Sequence, residues 1–434
     1  MRAPVERVVQ PPKLLRIDAN LLIPGRGEPI VNASLVACEG KIEFVGESLP
    51  DRYAGLTPIC VPVLMPGMWD CHLHYFGTDK YSIGDVSKTA QVLAGARGAR
   101  DIAATLNAGI TSVREMGGYG TLLSQTIREE WLPGPNIYSA VSILSPTAGH
   151  ADAQELPLNY LEQKMRQENG LPFYTCDGVD DCIKAVRVMV RRGARVIKVA
   201  TTGGVASRDD PQTQHFSPNE LKAIVAEAER SNLAVAAHAH GTKGIHAALE
   251  AGCTTIEHGS YLDAAAIEFM RCHGIILVAT RSVFEFGIKH PEAWSEDSYA
   301  KLVAVNEANK RSYAAAVKAG VRIALGTDLG VSTKNTHFNH GMNGSEFVYA
   351  VGAGLTPLQA IEAGTATGPE TLGVHQPSQI LSGQLKTGYD ADMIALTEDP
   401  LQDITVLAKP SSVIYVWKGG KLYKQPGKSV NVLE

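Results

Sequence analysis

Two imidazoles stand two residues apart, His72 and His74, in the run Pro66-Gly67-Met68-Trp69-Asp70-Cys71-His72-Leu73-His74, directly after the apolar segment Val61 to Met65. In a strand, side chains at i and i+2 point to the same face, so both rings converge on one point, as a metal ion requires. Four more ligand-type residues follow: Lys198 in Arg195-Val196-Ile197-Lys198-Val199, His238 in Ala236-Ala237-His238, His258 in Ile256-Glu257-His258, and Asp328 in Gly326-Thr327-Asp328. Imidazole and carboxylate donors suit a divalent ion, zinc first, with manganese, iron or nickel also compatible. A lysine ammonium has no lone pair to give a metal. Burial lowers its pKa, and the neutral amine can then add carbon dioxide to form a carbamate long enough to bridge two ions. Two ions ~3.5–4 Å apart can share a hydroxide nucleophile. Four histidines and Asp328 could hold one ion; the sixth group, Lys198, points to a cofactor of two divalent ions with that lysine N-carboxylated.

Each piece has a plainer role when taken alone. An HxH pair can face solvent, a lysine can pair with a carboxylate, and Asp328 can cap a helix or close a turn. Their common position, at the same end of separate strands, is what makes them one site. His246 and His273 fall on helical segments and His375 lies beyond the last strand unit, so surface or packing roles are expected there.

The elements that must position this set are legible in a recurring pattern. A helix-like segment ends in Gly, an apolar run follows, and the run closes on a polar residue, as in Gly252-Cys253 to Glu257-His258 and Gly320-Val321 to Asp328. The Gly suits the left-handed position after a helix C-terminus. Eight strand candidates begin near Val63, Ile110, Asn136, Arg195, Leu233, Thr254, Ile275 and Arg322. The clearest intervening helix runs from Pro218 to Ser231, with Ser217 as N-cap and Glu220 completing a capping box. Alternation of strand and helix predicts a parallel sheet, and eight units predict an α/β fold of the (β/α)8 TIM-barrel kind. Connections leaving strands are long (142–178, 201–217, 282–296, 329–344) and gather where such barrels carry their sites.

The flanks differ. Ala33 to Ala37, Lys41 to Val45, Met393 to Leu396 and Val413 to Trp417 are short strand units. The expected organisation is a small β-sandwich domain built from residues 1–64 with 374–434, beside a barrel spanning 65–373.

Composition narrows the function classes. The 434 residues are 44% hydrophobic and 20% charged, with a net charge of -5 and a sequence pI of about 6.2. No basic run of the nucleic-acid-binding kind occurs, and no apolar stretch approaches the ~20 residues of a membrane span. Met1 to Gln10 lacks an apolar signal core, and seven scattered cysteines read as reduced thiols, so a cytoplasmic protein is expected. A Cys176–Cys182 bridge is disfavoured.

The motifs PGMWDCHLH, VIKVATTGGV, AAHAHG, TIEHGS and ALGTD together resemble those of the amidohydrolase superfamily across nearly the whole chain. SPTAGHAD, VASRDD and VATRSV add likeness to the branch that holds ochratoxinase, the Xaa-Pro dipeptidases and related carboxypeptidases. The resemblance implies that His72, His74 and Asp328 bind the more buried metal, that His238 and His258 bind the other, and that carboxylated Lys198 bridges them. Two departures stand out: Glu115, where relatives often carry Asp, and the run His337 to Asn343, which resembles an HGxN element of some dipeptidase relatives more than ochratoxinase.

The function expected is hydrolysis of an amide bond in a small-molecule N-acyl amino acid, or of a C-terminal peptide bond, with Asp328 shuttling the proton. His240 is the candidate for a hydrogen bond to the carbonyl or oxyanion. His150, Arg208, Arg281 and His340 are candidates for substrate contact, the two arginines through a free carboxylate. Three rival readings are a mononuclear deaminase, which would not need Lys198, a non-hydrolytic lyase (decarboxylase or dehydratase) on the same ligands, and a non-catalytic binding protein. The last would be expected to lack a ligand, and this chain has the full set. The resemblance also implies a homo-oligomer.

Overall fold

A computed structural model describes residues 14–80, 82–167, 169–332, 338–373 and 380–432. Met1 to Gln10, His337 and His375, all read in the sequence, lie outside them.

Strands alternate with helices through the middle of the chain, and the alternation yields parallel pairing. One sheet orders the strands Arg322–Ile323, Ile276–Val278, Thr255–His258, Val235–Ala239, Ile197–Ala200, Ile143–Ser145 and Phe173–Thr175. A second orders Leu329–Val331, Met68–Thr78, Ile110–Glu115 and Asn136–Ser139. Every described pair within these two sheets is parallel. The strands Ile197–Ala200, Val235–Ala239 and Thr255–His258 are buried at every position, which is why none of them alternates apolar with exposed polar residues.

The helix Pro218–Arg230 begins as its sequence requires. Ser217 N–H donates to Glu220 Oε2 at 2.7 Å, and Glu220 N–H donates to Ser217 Oγ at 3.4 Å. Leu221, Ile224 and Ala228 face the core. The stretch 282–296, expected as a loop, instead opens with the helix Arg281–Lys289. Its buried residues Val283, Phe284 and Gly287 have helical spacing, and this apolar stripe supplies the burial that holds it.

A third sheet draws on both ends of the chain. Its order is Lys421–Lys424, Val413–Lys418, Met393–Leu396, Ile59–Pro66, Leu14–Leu22, Ile30–Cys38 and Lys41–Gly46. One face forms a core of its own from Ile17, Leu35, Leu64, Met393 and Trp417. Residues of opposite parity (Val63, Met65, Ile394, Val416) join the large central core, so the sheet is buried on both sides.

This arrangement corrects the position of the first parallel strand. The apolar segment Val61 to Met65 belongs to the terminal sheet, paired with Leu14–Leu22 and Met393–Leu396. The backbone changes partners at Pro66-Gly67: Gly67 N–H donates to Asp392 O at 2.9 Å, and Met68 N–H donates to Gly109 O at 3.0 Å. Proline has no N–H to continue the ladder, so the chain leaves one sheet and enters the next there. His72 and His74 therefore lie inside the strand Met68–Thr78 rather than at the close of an earlier one.

All seven cysteines are free thiols, with the sulfurs of Cys176 and Cys182 3.7 Å apart. Among the described residues no helix is long and apolar enough to cross a membrane.

Candidate metal centre and active site

His72 and His74 point to one side of their strand, and the segment carrying Asp328 is tied against them. Thr327 N–H and Asp328 N–H both donate to His72 O, at 3.0 and 2.6 Å. Asp70 fixes the same junction. It accepts from His72 N–H (3.1 Å), Thr327 N–H (3.1 Å), the Thr327 hydroxyl (2.6 Å) and Asn343 Nδ2 (2.7 Å). Burial pushes Asp70 up to about 6 despite these donors. A Cβ on Gly326 would come within 2.7 Å of His72 N and Cβ, so only glycine lets the two segments meet this closely. Asp328 falls between the strands Arg322–Ile323 and Leu329–Val331 rather than closing one of them.

The carboxylate of Asp328 comes 3.1 Å from His74 Nε2 and 3.6 Å from His72 Nε2, and Lys198 Nζ lies 3.4 Å from His72 Nε2. Donor atoms of His72, His258 and Asp328 lie within 4.8 Å of one another, as do those of His238, His240 and His258. His258 belongs to both groups, so the expected ligands form one continuous cluster able to hold metal.

The second nitrogen of each imidazole is already engaged. His72 Nδ1 meets Glu257 Oε2 at 2.7 Å, His74 Nδ1 meets Gly117 O at 2.8 Å, and His258 Nδ1 meets the Thr280 hydroxyl at 2.7 Å. His238 uses the opposite nitrogen, Nε2, on Gly203 O at 3.1 Å. Metal-binding histidines are held this way, with one nitrogen tied to the protein and the other left as a lone pair. The donor set therefore fits a metal. Burial drives His72 down to about 4 and His238 and His258 well below the usual range, keeping them neutral as ligands must be.

Lys198 is fully enclosed, and burial lowers its pKa to about 8 against the pull of Glu257 and Asp328. A neutral amine is thus accessible near pH 8. Glu257 is buried too, which alone would raise its pKa, but Arg114 (2.7 Å) and His72 hold it well below the carboxylate range. His258, Thr280 and Asp328 adopt left-handed backbone conformations with φ of 68°, 51° and 60°. Such strain, of order 1–3 kcal/mol per residue, concentrates at functional sites.

The cluster lies at the base of a cavity of about 810 Å³, counting its open mouth, walled by Phe76, Ile83, Val86, Phe173, Phe284 and Trp294. His150 and His240 line it. His240 Nδ1 is paired with the Ser260 hydroxyl at 2.8 Å. The other expected substrate contacts are placed elsewhere. Arg208 borders an outer recess. Arg281 is buried and spent on Glu285 (2.7 Å), Asn309 (2.8 Å) and Asn306 (2.9 Å). His340 is buried against the Tyr75 ring, 4.9 Å between centroids, away from the cavity wall.

Sequence reasoning passed over Asp70, Arg114, Glu257 and Thr280, which orient the ligands. Glu257 had one signal, a carboxylate directly beside His258. Glu115, noted as a departure, accepts from Tyr75 N–H, Gly120 N–H and the Ser139 hydroxyl, and burial pushes it up to about 7.

Residues 63–423 match the amidohydrolase family model, and the chain belongs to the amidohydrolase family. It is a hydrolase of the class acting on amide and peptide carbon–nitrogen bonds. The chain is 46% identical to ochratoxinase of Aspergillus niger over 431 residues, covering 96% of this chain and 88% of that protein. The crystal structure of the A. niger ochratoxinase superposes with a TM-score of 0.89 at 44% identity, covering 96% of this chain and 97% of that one. A Xaa-Pro dipeptidase crystallised with methionine in its active site superposes at 0.84, with 29% identity and coverage of 95% and 100%.

Proposed function

We propose that this protein is a binuclear metal-dependent amidohydrolase cleaving N-acyl amino acids or C-terminal peptide bonds whose leaving residue is apolar or aromatic. The observation that carries the reading is the continuous donor cluster, with each imidazole oriented through its second nitrogen, beneath an apolar cavity. Likeness to ochratoxinase and to a Xaa-Pro dipeptidase supports the same bond class.

His72, His74 and Asp328 would hold one ion and His238 and His258 the other, with N-carboxylated Lys198 between them. When bound, such ions, zinc first among the candidates, acidify a water and polarise a carbonyl oxygen. Asp328, held below the usual carboxylate range by its histidine neighbours although burial opposes this, is ionised and ready to accept a proton. It returns that proton to the departing amine. His240, neutral and fixed through Ser260, faces the cavity as a hydrogen-bond partner for the carbonyl oxygen. The apolar walls hold the substrate's hydrophobic portion and exclude water.

We also infer that residues 65–373 close into one (β/α)8 barrel beside a β-sandwich from 1–64 and 374–434. Two backbone bonds between the parallel sheets support closure, Arg195 N–H to Ser139 O and Cys71 N–H to Leu325 O, both 2.8 Å. A cytoplasmic homo-oligomer remains part of the proposal. The test is incubation of zinc-loaded protein with N-acyl amino acids, short peptides and ochratoxin-like amides, with products weighed by mass spectrometry. Free amine and free acid support hydrolysis. Loss of carbon dioxide or water from the substrate would instead identify a lyase, and ammonia release a deaminase.

A further inference from the structure

The loop following the strand Ile197–Ala200 does more than connect. Its Gly203 carbonyl orients His238, and four residues later its Ser207 hydroxyl meets His150 Nδ1 at 2.8 Å. The His150 ring is stacked on the His238 ring, with centroids 4.1 Å apart and planes at 13°, so it borders the metal cluster directly. A Cβ at Gly204 would lie 2.2 Å from His150 Nδ1; this loop can approach the ring only because the residue is glycine.

The hydrogen bonds form a chain with one possible direction. Ser207 Oγ also contacts Asp209 Oδ1. Asp209 is enclosed, and although burial would raise its pKa, His215 (Nε2 3.1 Å from Oδ2) and the Ser207 hydroxyl hold it below the usual range. An ionised carboxylate only accepts hydrogen bonds. Ser207 must therefore give its single proton to Asp209, and its oxygen must accept from His150. That fixes His150 as the Nδ1–H tautomer, with Nε2 a lone pair making no hydrogen bond among the described residues, on a residue that lines the cavity.

We infer that Ser207 and Asp209 are positioning residues that lock His150 as a hydrogen-bond acceptor for the N–H of the scissile bond, making the site selective for secondary amides over substrates without that N–H. The inference deepens the amide-hydrolysis reading and rests on it. It also separates this site's preference from the tertiary amide of a Xaa-Pro bond, which carries no N–H to donate.

The test compares N-benzoyl-L-phenylalanine with O-benzoyl-L-phenyllactate, the ester that replaces N–H by oxygen at nearly equal size. The readout is the amide-to-ester ratio of kcat/KM in the zinc-loaded full chain, so that intrinsic reactivity cancels between variants. Ser207→Ala lowers this ratio about three- to tenfold, the worth of one neutral hydrogen bond, and Ser207→Thr, which keeps the hydroxyl, restores it. An unchanged ratio in Ser207→Ala, with the amide still cleaved, overturns the inference and leaves the hydrolase reading intact. Long-range nitrogen–proton NMR of histidine-labelled wild-type protein, assigned against His150→Gln, reads the tautomer without turnover or a folded Ser207 variant. An Nδ1–H signal supports the lock, and an Nε2–H signal overturns it. If neither compound is cleaved, the substrate reading fails and the selectivity falls with it, whereas the NMR result still decides the lock.

Discussion

Glu257 Oε2 lies 2.7 Å from His72 Nδ1 with both side chains buried, and Glu257 Oε1 lies 2.7 Å from Arg114 Nη2. One carboxylate thus fixes the tautomer of a proposed metal ligand and neutralises a guanidinium with no access to water. The two tasks fail together. Glu257→Gln is expected to cost about 3–5 kcal/mol of stability, because Arg114 is left as an uncompensated buried charge, and to weaken metal binding about 10–100-fold. Denaturant unfolding and competitive metal titration measure the two effects separately.

Lys198→Ala is expected to lose bound metal and amidase activity together, because it removes the proposed anionic bridge between the two ions. Elemental analysis of the purified variant checks this. Two ions retained per chain in that variant would refute the bridging role.

His240 shares a donor group with His238 and His258, yet its expected part is in catalysis and not ligation. His240→Asn should keep the full metal content while kcat falls about 10²–10³-fold, the usual cost of losing one oxyanion donor. Metal analysis beside steady-state kinetics tells the two roles apart, since a ligand would lose the ion.

Glu346 supplies a pH test away from the cluster. It accepts from Arg281 N–H and Ser282 N–H, both 2.9 Å, and from the Ser282 hydroxyl at 2.6 Å, while burial pushes its pKa up to about 7 from 4.5. A raised carboxyl pKa means the folded state holds its proton more tightly than the unfolded chain. The contribution is therefore fully present below about pH 4.5 and is lost as pH rises through about 7. Relative to Glu346→Gln, the wild type should lose stability between pH 5 and pH 7.5. Urea midpoints across that window give the difference, and parallel curves for the two proteins would contradict it.

The clustering of His72, His74, His238, His258 and Asp328 was legible because chemistry leaves few reasons to place such residues at the ends of successive apolar runs. Their supports were not. Asp70, Arg114 and Glu257 are single charged residues whose long-range partners (Thr327 and Asn343, Glu257, and His72) lie 143 to 273 positions away, and no spacing rule reaches that far. The parallel pairing followed from alternation, and the capping box at Ser217 from three residues. The change of sheet at Pro66-Gly67 was hidden because Val61 to Met65 is equally apolar in either sheet. The helix Arg281–Lys289 was hidden because its stripe spans barely two turns. Arg281 looked available for a substrate carboxylate until its partners Glu285, Asn306 and Asn309 were seen.

A pair of metal ions held by His72, His74, Lys198, His238, His258 and Asp328 is proposed to be what amide cleavage requires. The most direct measurement is metal content per chain, followed during zinc titration of stripped protein and read against cleavage of N-benzoyl-L-phenylalanine. Activity is expected to rise with zinc and to saturate at two equivalents. Full activity in stripped protein, or saturation with no zinc bound, would contradict it.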